Sequence, residues 1–303
     1  MNSILNGWLV LDKPVGVSST GLLNQIKKLI QANKNHIKVG HAGTLDPEAS
    51  GILLVAFGEA TKTVEYAMGS RKAYDFTLTW GEDRSTDDSE GEIIATSDVR
   101  AGDKEVKNII KEFIGKINQV PPKFSAIKVQ GERAYNISRQ GGEVELKPRE
   151  VMCYSAELLT HNQSKSQFSI ECGKGFYIRS LARDIAHALG TCGYVSELKR
   201  TRLGQFRLED AISLDCLKEL VYTSGLEGVA GILKPVHVVL DGILVQQVTL
   251  SDARKLQQGQ KVKYISSITN EEKLAAMFEN KIVAICKVSE GLIIPSKVFN
   301  LLK

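Results

Sequence analysis

The chain has 303 residues, 43% of them hydrophobic and 24% charged, with a formal net charge of +4 and a pI near 8.6. That is the composition of an ordinary globular protein long enough for a large and a small domain, and it excludes a disordered or membrane-embedded chain. The longest apolar run, Gly51 to Gly58, is far short of a bilayer span, and no basic region precedes an apolar core at the amino terminus, so the protein is expected in the cytoplasm.

The five cysteines (Cys153, Cys172, Cys192, Cys216, Cys286) show no C-x-x-C spacing and the five histidines no H-x-x-x-H pair. A disulfide framework, a zinc ribbon and a zincin-like ligand set are therefore not expected, and neither a metal nor a cofactor is assigned. The mild positive charge permits nucleic-acid binding without requiring it.

In chain order, Gly7 to Leu11 reads as a strand stopped at Asp12-Lys13-Pro14, because proline lacks a ladder donor. Ser18 or Ser19 can cap a helix in which Leu22, Leu23, Ile26, Leu29 and Ile30 form one face, with Lys27 and Lys28 on the other. From Lys13 through Leu45 the chain holds five lysines, two histidines and no acidic residue, a distribution that attracts a phosphate backbone. A loop containing Gly40 and Gly43 then runs through Asp46 and Pro47 to the apolar segment Ile52 to Phe57.

Between Lys72 and Trp80, alternation of Tyr74, Phe76, Leu78 and Trp80 with smaller or polar residues gives a strand with one covered face, and Tyr74 lies on it. Gly81 to Glu92 reads as an acidic loop, and Val106 to Ile117 as an amphipathic helix ending at Pro121-Pro122. Strands are expected at Phe124–Val129, Val151–Leu159 and Gln167–Cys172, followed by a helix from about Arg179 to Leu189.

Strands and helices do not alternate strictly, so the expected class is α+β with a central mixed, largely antiparallel sheet flanked by helices. Past Asp241 a short helix (Ser251 to Gln257) and two strands (Lys281 to Val288, Gly291 to Val298) suggest a small, separate β-rich domain. The division is 1–240 and 241–303.

The segment richest in chemistry is Gly40-His41-Ala42-Gly43-Thr44-Leu45-Asp46-Pro47-Glu48-Ala49-Ser50-Gly51-Ile52-Leu53. Two close glycines allow backbone shapes other residues resist, and an Asp on such a loop can present its carboxylate to a cleft. The whole segment resembles the catalytic loop of TruB-type pseudouridine synthases, G-x-x-G-T-L-D-P-x-A-x-G-x-L.

Three further segments are similar to motifs of that family and follow in its order: Lys13-Pro14-Val15-Gly16, Arg71-Lys72-Ala73-Tyr74, and Lys174-Gly175-Phe176-Tyr177-Ile178-Arg179. Leu250 to Gly259 resembles part of the PUA-type RNA-binding domain that accompanies such enzymes. The resemblance implies a pseudouridine synthase catalytic fold with a PUA-like carboxy-terminal domain.

Turning uridine into pseudouridine requires cleaving the bond from ribose to N1 and rejoining the ring through C5, with the base held throughout. A carboxylate nucleophile suffices, by attack on C6 or on the sugar carbon, or by removing a sugar proton to give a glycal. The resemblance assigns Asp46 to that role, Arg179 to the cation beside it, and Tyr74 to stacking on the base and helping proton loss at C5.

It also implies that Tyr177 and Leu198 line the pocket, that His41 stacks where the base leaves, and that Lys13 belongs to the substrate-binding residues. The implied partner is the T arm of tRNA, acted on by a monomer without membrane or small-molecule cofactor. Alternatives are a noncatalytic RNA-binding or tRNA-folding protein, a dyskerin-like enzyme working with a guide RNA, and a glycosidase. The last would need a second facing carboxylate.

Overall fold

The computed structural model of the protein describes residues 5–32, 34–125, 127–129, 131–134, 137, 142, 145–263 and 273–302. Strands β1 (Gly7–Lys13) and β3 (Ala49–Phe57) pair antiparallel, Gly7 opposite Phe57. Both are almost continuously apolar because both faces are covered. Leu9, Leu11, Leu53 and Val55 enter one core cluster, while Trp8, Val10, Ile52 and Leu54 enter another.

Helix α1 (Ser19–Leu29) starts where the Ser18 hydroxyl accepts from the Gly21 amide at 3.0 Å, and it buries Leu22, Leu23 and Ile26 against the first of these clusters. Strand β2 (Val39–Ala42) pairs with β3 from Phe57 to Leu54, so Gly40 to Ala42 are strand rather than the expected loop. The reason is the free edge of β3, which recruits the preceding residues.

After helix α2 (Val64–Gly69), strand β4 (Lys72–Trp80) alternates as expected, and Tyr74, Phe76, Leu78 and Trp80 share one buried cluster. The acidic stretch that follows is only partly loop. Strand β5 (Glu82–Arg84) pairs with β6 (Ile93–Thr96), and the carboxylates of Asp83 on β5 and of Asp87 between the strands dock this hairpin on the rest of the fold.

Helix α3 (Asp103–Glu112) stops before Ile114, because Gly115 takes φ +102° and turns the chain into strand β7 (Gly115–Gln119). Ile117, expected in the helix, instead sits opposite Val151. Of the expected strand Phe124–Val129, only β8 (Lys128–Val129) pairs, with β9 (Glu132–Arg133); residue 126 lies outside the described residues.

Strands β10 (Arg149–His161) and β11 (Lys165–Cys172), helix α4 (Ile178–Ala188) and strand β12 (Gly193–Leu203) follow, with β13 (Phe206–Arg207) pairing back on β12. The nine-stranded sheet has the order β1-β3-β12-β4-β11-β10-β7, with β2 on β3 and β13 on β12. Only the β3–β12 pairing is parallel in it, so the sheet is mixed and largely antiparallel, as the sequence suggested. Helix α5 (Leu214–Ile232) then covers part of β1, and no helix among the described residues is long and apolar enough to cross a membrane.

A second sheet of five strands closes the chain in the order β14 (Leu244–Gln247), β16 (Lys273–Phe278), β17 (Lys281–Ser289), β18 (Leu292–Val298), β15 (Val262–Lys263), with α6 (Leu250–Gln257) packed on it. It shares a core with the large sheet: Met277, Ile282, Ile285 and Phe299 belong to the cluster of Trp8, Val10, Ile52 and Leu54. Reciprocal lysines fasten the seam, Lys62 Nζ donating to the Val298 carbonyl at 2.8 Å and Lys297 Nζ to the Lys62 carbonyl at 3.0 Å.

Candidate active site

The loop 43–48 emerges where β3 changes neighbours, from β2 beside Leu54 to β12 beside Ala49, Ser50 and Gly51. It is pinned from below by the Lys13–Ser19 segment. The Ser19 hydroxyl donates to the Leu45 carbonyl and accepts from the Leu45 amide, each at 2.8 Å. The Gly16 amide donates to the Pro47 carbonyl at 2.9 Å.

Lys13 takes a different place from that expected of a substrate-binding side chain. It is fully buried, and its ammonium donates to the carbonyls of Val17 (2.7 Å), Pro14 (2.8 Å) and Pro47 (3.0 Å). An ammonium has three donors, and all of them point into the backbone around the loop.

Two glycines make the loop's shape possible. Gly43 has φ +74° and Gly51 φ +98°, and a Cβ at Gly51 would lie 2.3 Å from the Arg200 carbonyl oxygen. Arg200 itself, 1% exposed, donates through Nε to the Ile52 carbonyl (2.8 Å) and through Nη2 to the Gly43 carbonyl (2.7 Å).

On this support the Asp46 carboxylate stands partly exposed, its side chain 39% accessible, with Oδ2 3.0 Å from Nε of Arg179. Arg179 is in the first turn of α4 and is only 6% exposed. Its remaining nitrogens are also engaged: Nη1 donates to the Thr86 carbonyl at 2.9 Å and lies 3.2 Å from Oδ2 of Asp88, and Nη2 donates to the Phe124 carbonyl at 3.0 Å. The guanidinium therefore has a fixed orientation, with one edge reserved for Asp46.

Asp88 is one residue that sequence reading missed. Its stretch is polar and acidic and reads as a solvated loop, yet Asp88 is 6% exposed and accepts from the Thr86 hydroxyl and from the Glu90 amide (3.1 Å). Neighbouring acids anchor the same segment to α4 and β12: Asp87 to Arg183 at 2.9 Å, and Asp83 to His187 at 2.7 Å and to the Gly193 amide at 3.0 Å. Arg179, Arg183 and His187 recur at four-residue spacing on one helix face, the only trace of this docking in the sequence.

The other expected residues gather around the same point. Leu198 lines a small, shallow cleft with Asp46, Glu48, Asp88 and Arg179, and a larger groove shares Glu48, Ser196, Glu197 and Leu198 with it. Tyr74 stands in the cluster that contains Leu45 and Ala49, with Leu198 packed against it. Burial pushes its hydroxyl above the ordinary value, while the charge of Arg200 and a hydrogen bond from it pull the other way.

Tyr177 precedes α4, and its amide and carbonyl are clamped by the Gln119 side chain at 2.8 and 3.0 Å. Burial likewise raises its hydroxyl. His41 lies on β2 opposite Val55, with Nδ1 buried and without a partner. Burial first, then the charges of Arg200 and Lys27, lower its pKa and favour the neutral ring. Asp46, Arg179 and Leu198 thus share one cleft, Tyr74 stands in the adjoining core cluster, Tyr177 precedes the helix that carries Arg179, and His41 lies on the strand leading into the loop.

Comparison with known proteins points the same way. Residues 27–178 match the TruB family pseudouridylate synthase (N terminal domain), and residues 179–241 match the tRNA pseudouridylate synthase B C-terminal domain. The chain is 44% identical to "tRNA pseudouridine synthase B" of Bradyrhizobium diazoefficiens, over 98% of this chain and 86% of that protein. It is 43% identical to the protein of that name from Rhodospirillum rubrum, over 98% of this chain and 97% of the other.

Among solved structures, the "Crystal Structure of a Cbf5-Nop10-Gar1 Complex" contains a chain with TM-score 0.75 and 26% identity, covering 98% of this chain and 85% of that one. A second neighbour, "Structure of H/ACA RNP bound to a substrate RNA containing 2'-deoxyuridine", has TM-score 0.75 at 23% identity and bears on the fold alone. Identity above 40% along nearly the whole length, with the GTLDP loop built around a buried arginine, leaves one assignment: the chain belongs to the TruB family of pseudouridylate synthases.

Proposed function

We propose that the chain is a tRNA pseudouridine synthase that isomerises one uridine in the T arm, with Asp46 as nucleophile. The observation that carries this reading is the half-exposed Asp46 carboxylate, held 3.0 Å from the buried Arg179 guanidinium at the mouth of a cleft. The relatives named tRNA pseudouridine synthase B support the substrate class.

The target uridine is stacked within a folded loop and must be extruded, at a cost of a few kcal/mol. His41, kept neutral, suits the gap left behind, and the exposed lysines Lys28, Lys34 and Lys38 suit the phosphate backbone. Arg179 orients the Asp46 carboxylate toward the cleft, while Leu198 and Tyr177 line the space for the base.

Asp46 then engages the nucleotide at C6 or at the sugar carbon, or removes a sugar proton to leave a glycal. The N1 bond to ribose breaks, the retained ring turns, and C5 bonds to the sugar carbon. C5 must finally lose its proton to Tyr74, the bonding pair restoring the ring double bond, while N1, freed from ribose, takes up a proton. Lys13 acts through the loop, holding Pro47 beside Asp46. The carboxy-terminal sheet is an RNA-binding domain of PUA type, and the enzyme works as a monomer.

The test is conversion of an unmodified tRNA transcript by purified protein without cofactor or guide RNA, with pseudouridines mapped afterwards. One modified T-loop uridine is expected, and Asp46→Asn should abolish turnover while tRNA binding persists. Modification elsewhere with the T loop untouched would overturn the substrate. Activity only with an added guide RNA would favour the second reading, for which the likeness to the chain of the Cbf5-Nop10-Gar1 complex is the motive.

A further inference from the structure

Arg200 is among the largest fully buried side chains, and it has no ion-pair partner among the described residues. A buried cation without a carboxylate is expensive, and such groups persist where the surrounding structure holds them in place. Two backbone carbonyls hold this one, Gly43 at the start of the Asp46 loop and Ile52 just past its end. Across the sheet, Arg200 stands directly opposite Gly51 on β3 and Tyr74 on β4, with the guanidinium carbon 6.0 Å from the centre of the Tyr74 ring.

One side chain therefore touches both halves of the reaction centre: the loop that carries Asp46 and the aromatic ring on the neighbouring strand. Its charge also reaches the surrounding titratable groups. It opposes protonation of Lys13, His41 and Lys72 and favours ionisation of Tyr74. The other groups facing Tyr74 are the Cys172 thiol on β11, pushed up to about 12 by burial and so neutral, and the Asp46 carboxylate, which opposes phenolate formation. Arg200 is the one cation among the causes that act on Tyr74.

We propose that Arg200 is a positioning residue of the isomerisation: it fixes the Asp46 loop and the Tyr74 ring relative to each other, and it supplies the positive charge against which the Tyr74 hydroxyl ionises to accept the C5 proton. This rests on the assignment of Tyr74 to proton removal made above. In that step the C5–H bond breaks, its electron pair enters the ring, and the phenolate oxygen becomes a phenol.

The experiment is the single-turnover rate of pseudouridine formation on an unmodified tRNA transcript, followed from about pH 6 to 10, where the rate climbs with pH as the phenolate fraction of a hydroxyl raised by burial grows. The variants are Arg200→Gln, Arg200→Lys, Tyr74→Phe and the double variant Tyr74→Phe with Arg200→Gln, with tRNA affinity measured for each. Removing a cation raises a phenol pKa, so the rise of rate with pH in Arg200→Gln should move upward by about one pH unit, a tenfold loss near neutrality, at unchanged affinity.

Arg200→Lys keeps the charge without the fork and should lower the rate while leaving the pH rise in place. In the Tyr74→Phe background, Arg200→Gln should produce no displacement. An undisplaced profile in Arg200→Gln, with the pH rise absent in Tyr74→Phe, overturns the role of Arg200 and leaves that of Tyr74 standing. Survival of the wild-type rise in Tyr74→Phe overturns both. If Arg200→Gln fails to fold, Arg200→Lys decides: a lowered rate with an undisplaced rise supports the proposal, and a displaced rise or an unchanged rate refutes it.

Discussion

Lys13→Met separates a loop anchor from a substrate contact. The wild-type ammonium is fully buried, and burial lowers its pKa from 10.5 to about 8, with Asp46 and Glu48 pulling upward and Arg200 pushing down. At 1.36 kcal/mol per pH unit, keeping this group charged at neutral pH costs the fold about 3 kcal/mol. Against that stand three charge-assisted hydrogen bonds to the carbonyls of Val17, Pro14 and Pro47. Such bonds contribute about 1.5–3 kcal/mol each, or about 5–9 together.

These bonds sit in the turn that sets the direction of the Asp46 side chain. Methionine fills the volume without donors, so the Pro47 carbonyl is released. We expect the single-turnover rate to fall by more than about tenfold, the equivalent of 1.4 kcal/mol of transition-state alignment, with tRNA affinity held within about twofold.

Urea unfolding should show the loss of stability, and its pH dependence has a defined sign. The unfolded state binds the Lys13 proton up to 10.5 and the folded state only to about 8. Wild-type stability therefore gains from this group as pH rises through that window, and the variant lacks the gain. Lys72, also lowered to about 8 by burial, is common to both proteins and cancels in the comparison. A variant with normal rate and strongly weakened tRNA binding would refute the reasoning and make Lys13 a direct substrate contact.

Asp88→Asn should reduce the rate by about ten- to a hundredfold at unchanged tRNA affinity, since it removes one charged partner of Arg179, worth about 1.5–3 kcal/mol, from a position buried beneath the cleft; equal losses of rate and affinity would contradict this. Asp87→Asn should flatten the dependence of melting temperature on pH. Burial raises the Asp87 carboxyl to about 6, against the pull of Arg183 and Arg179, so between 3.8 and about 6 the folded state holds more protons than the unfolded one and wild-type stability falls as pH rises through that window. Parallel melting curves for the two proteins across it would count against this.

The elements that could be read from sequence are those in which one property dominates. Tyr74, Phe76, Leu78 and Trp80 alternate cleanly because one face of β4 meets the core and the other does not. Ser18 and the leucine–isoleucine face fixed α1 to within a residue. Strand β12 was not legible, although it lies between β3 and β4 and forms one wall of the cleft. Glu197, Lys199, Arg200 and Arg202 break its apolar pattern, and bulges after Val195 and Arg200 shift its register. The strand–helix exchange at Ile117 had a similar origin: an apolar residue at helical spacing from Phe113 also serves as the inward residue of a strand, and only the positive φ at Gly115 decides between them.

The site divides along the same line. Asp46 was legible because its loop needs an unusual backbone, and an unusual backbone leaves glycines at fixed positions, here Gly43 and Gly51. Around Asp46, the buried cations Lys13 and Arg179 were named only through the family resemblance and Arg200 not at all, because these residue types ordinarily signal surface. Each donates to two or more backbone carbonyls, and of the three only Arg179 has a carboxylate within ion-pair distance among the described residues. Carbonyl oxygens belong to every residue and carry no sequence signature, so an ammonium or guanidinium committed to them looks the same in sequence as one committed to water. The consequence is mechanical: the loop is held by charged groups that cannot swing outward without leaving carbonyls unpaired in the interior, which keeps the partly exposed Asp46 carboxylate aimed into the cleft while RNA arrives and departs.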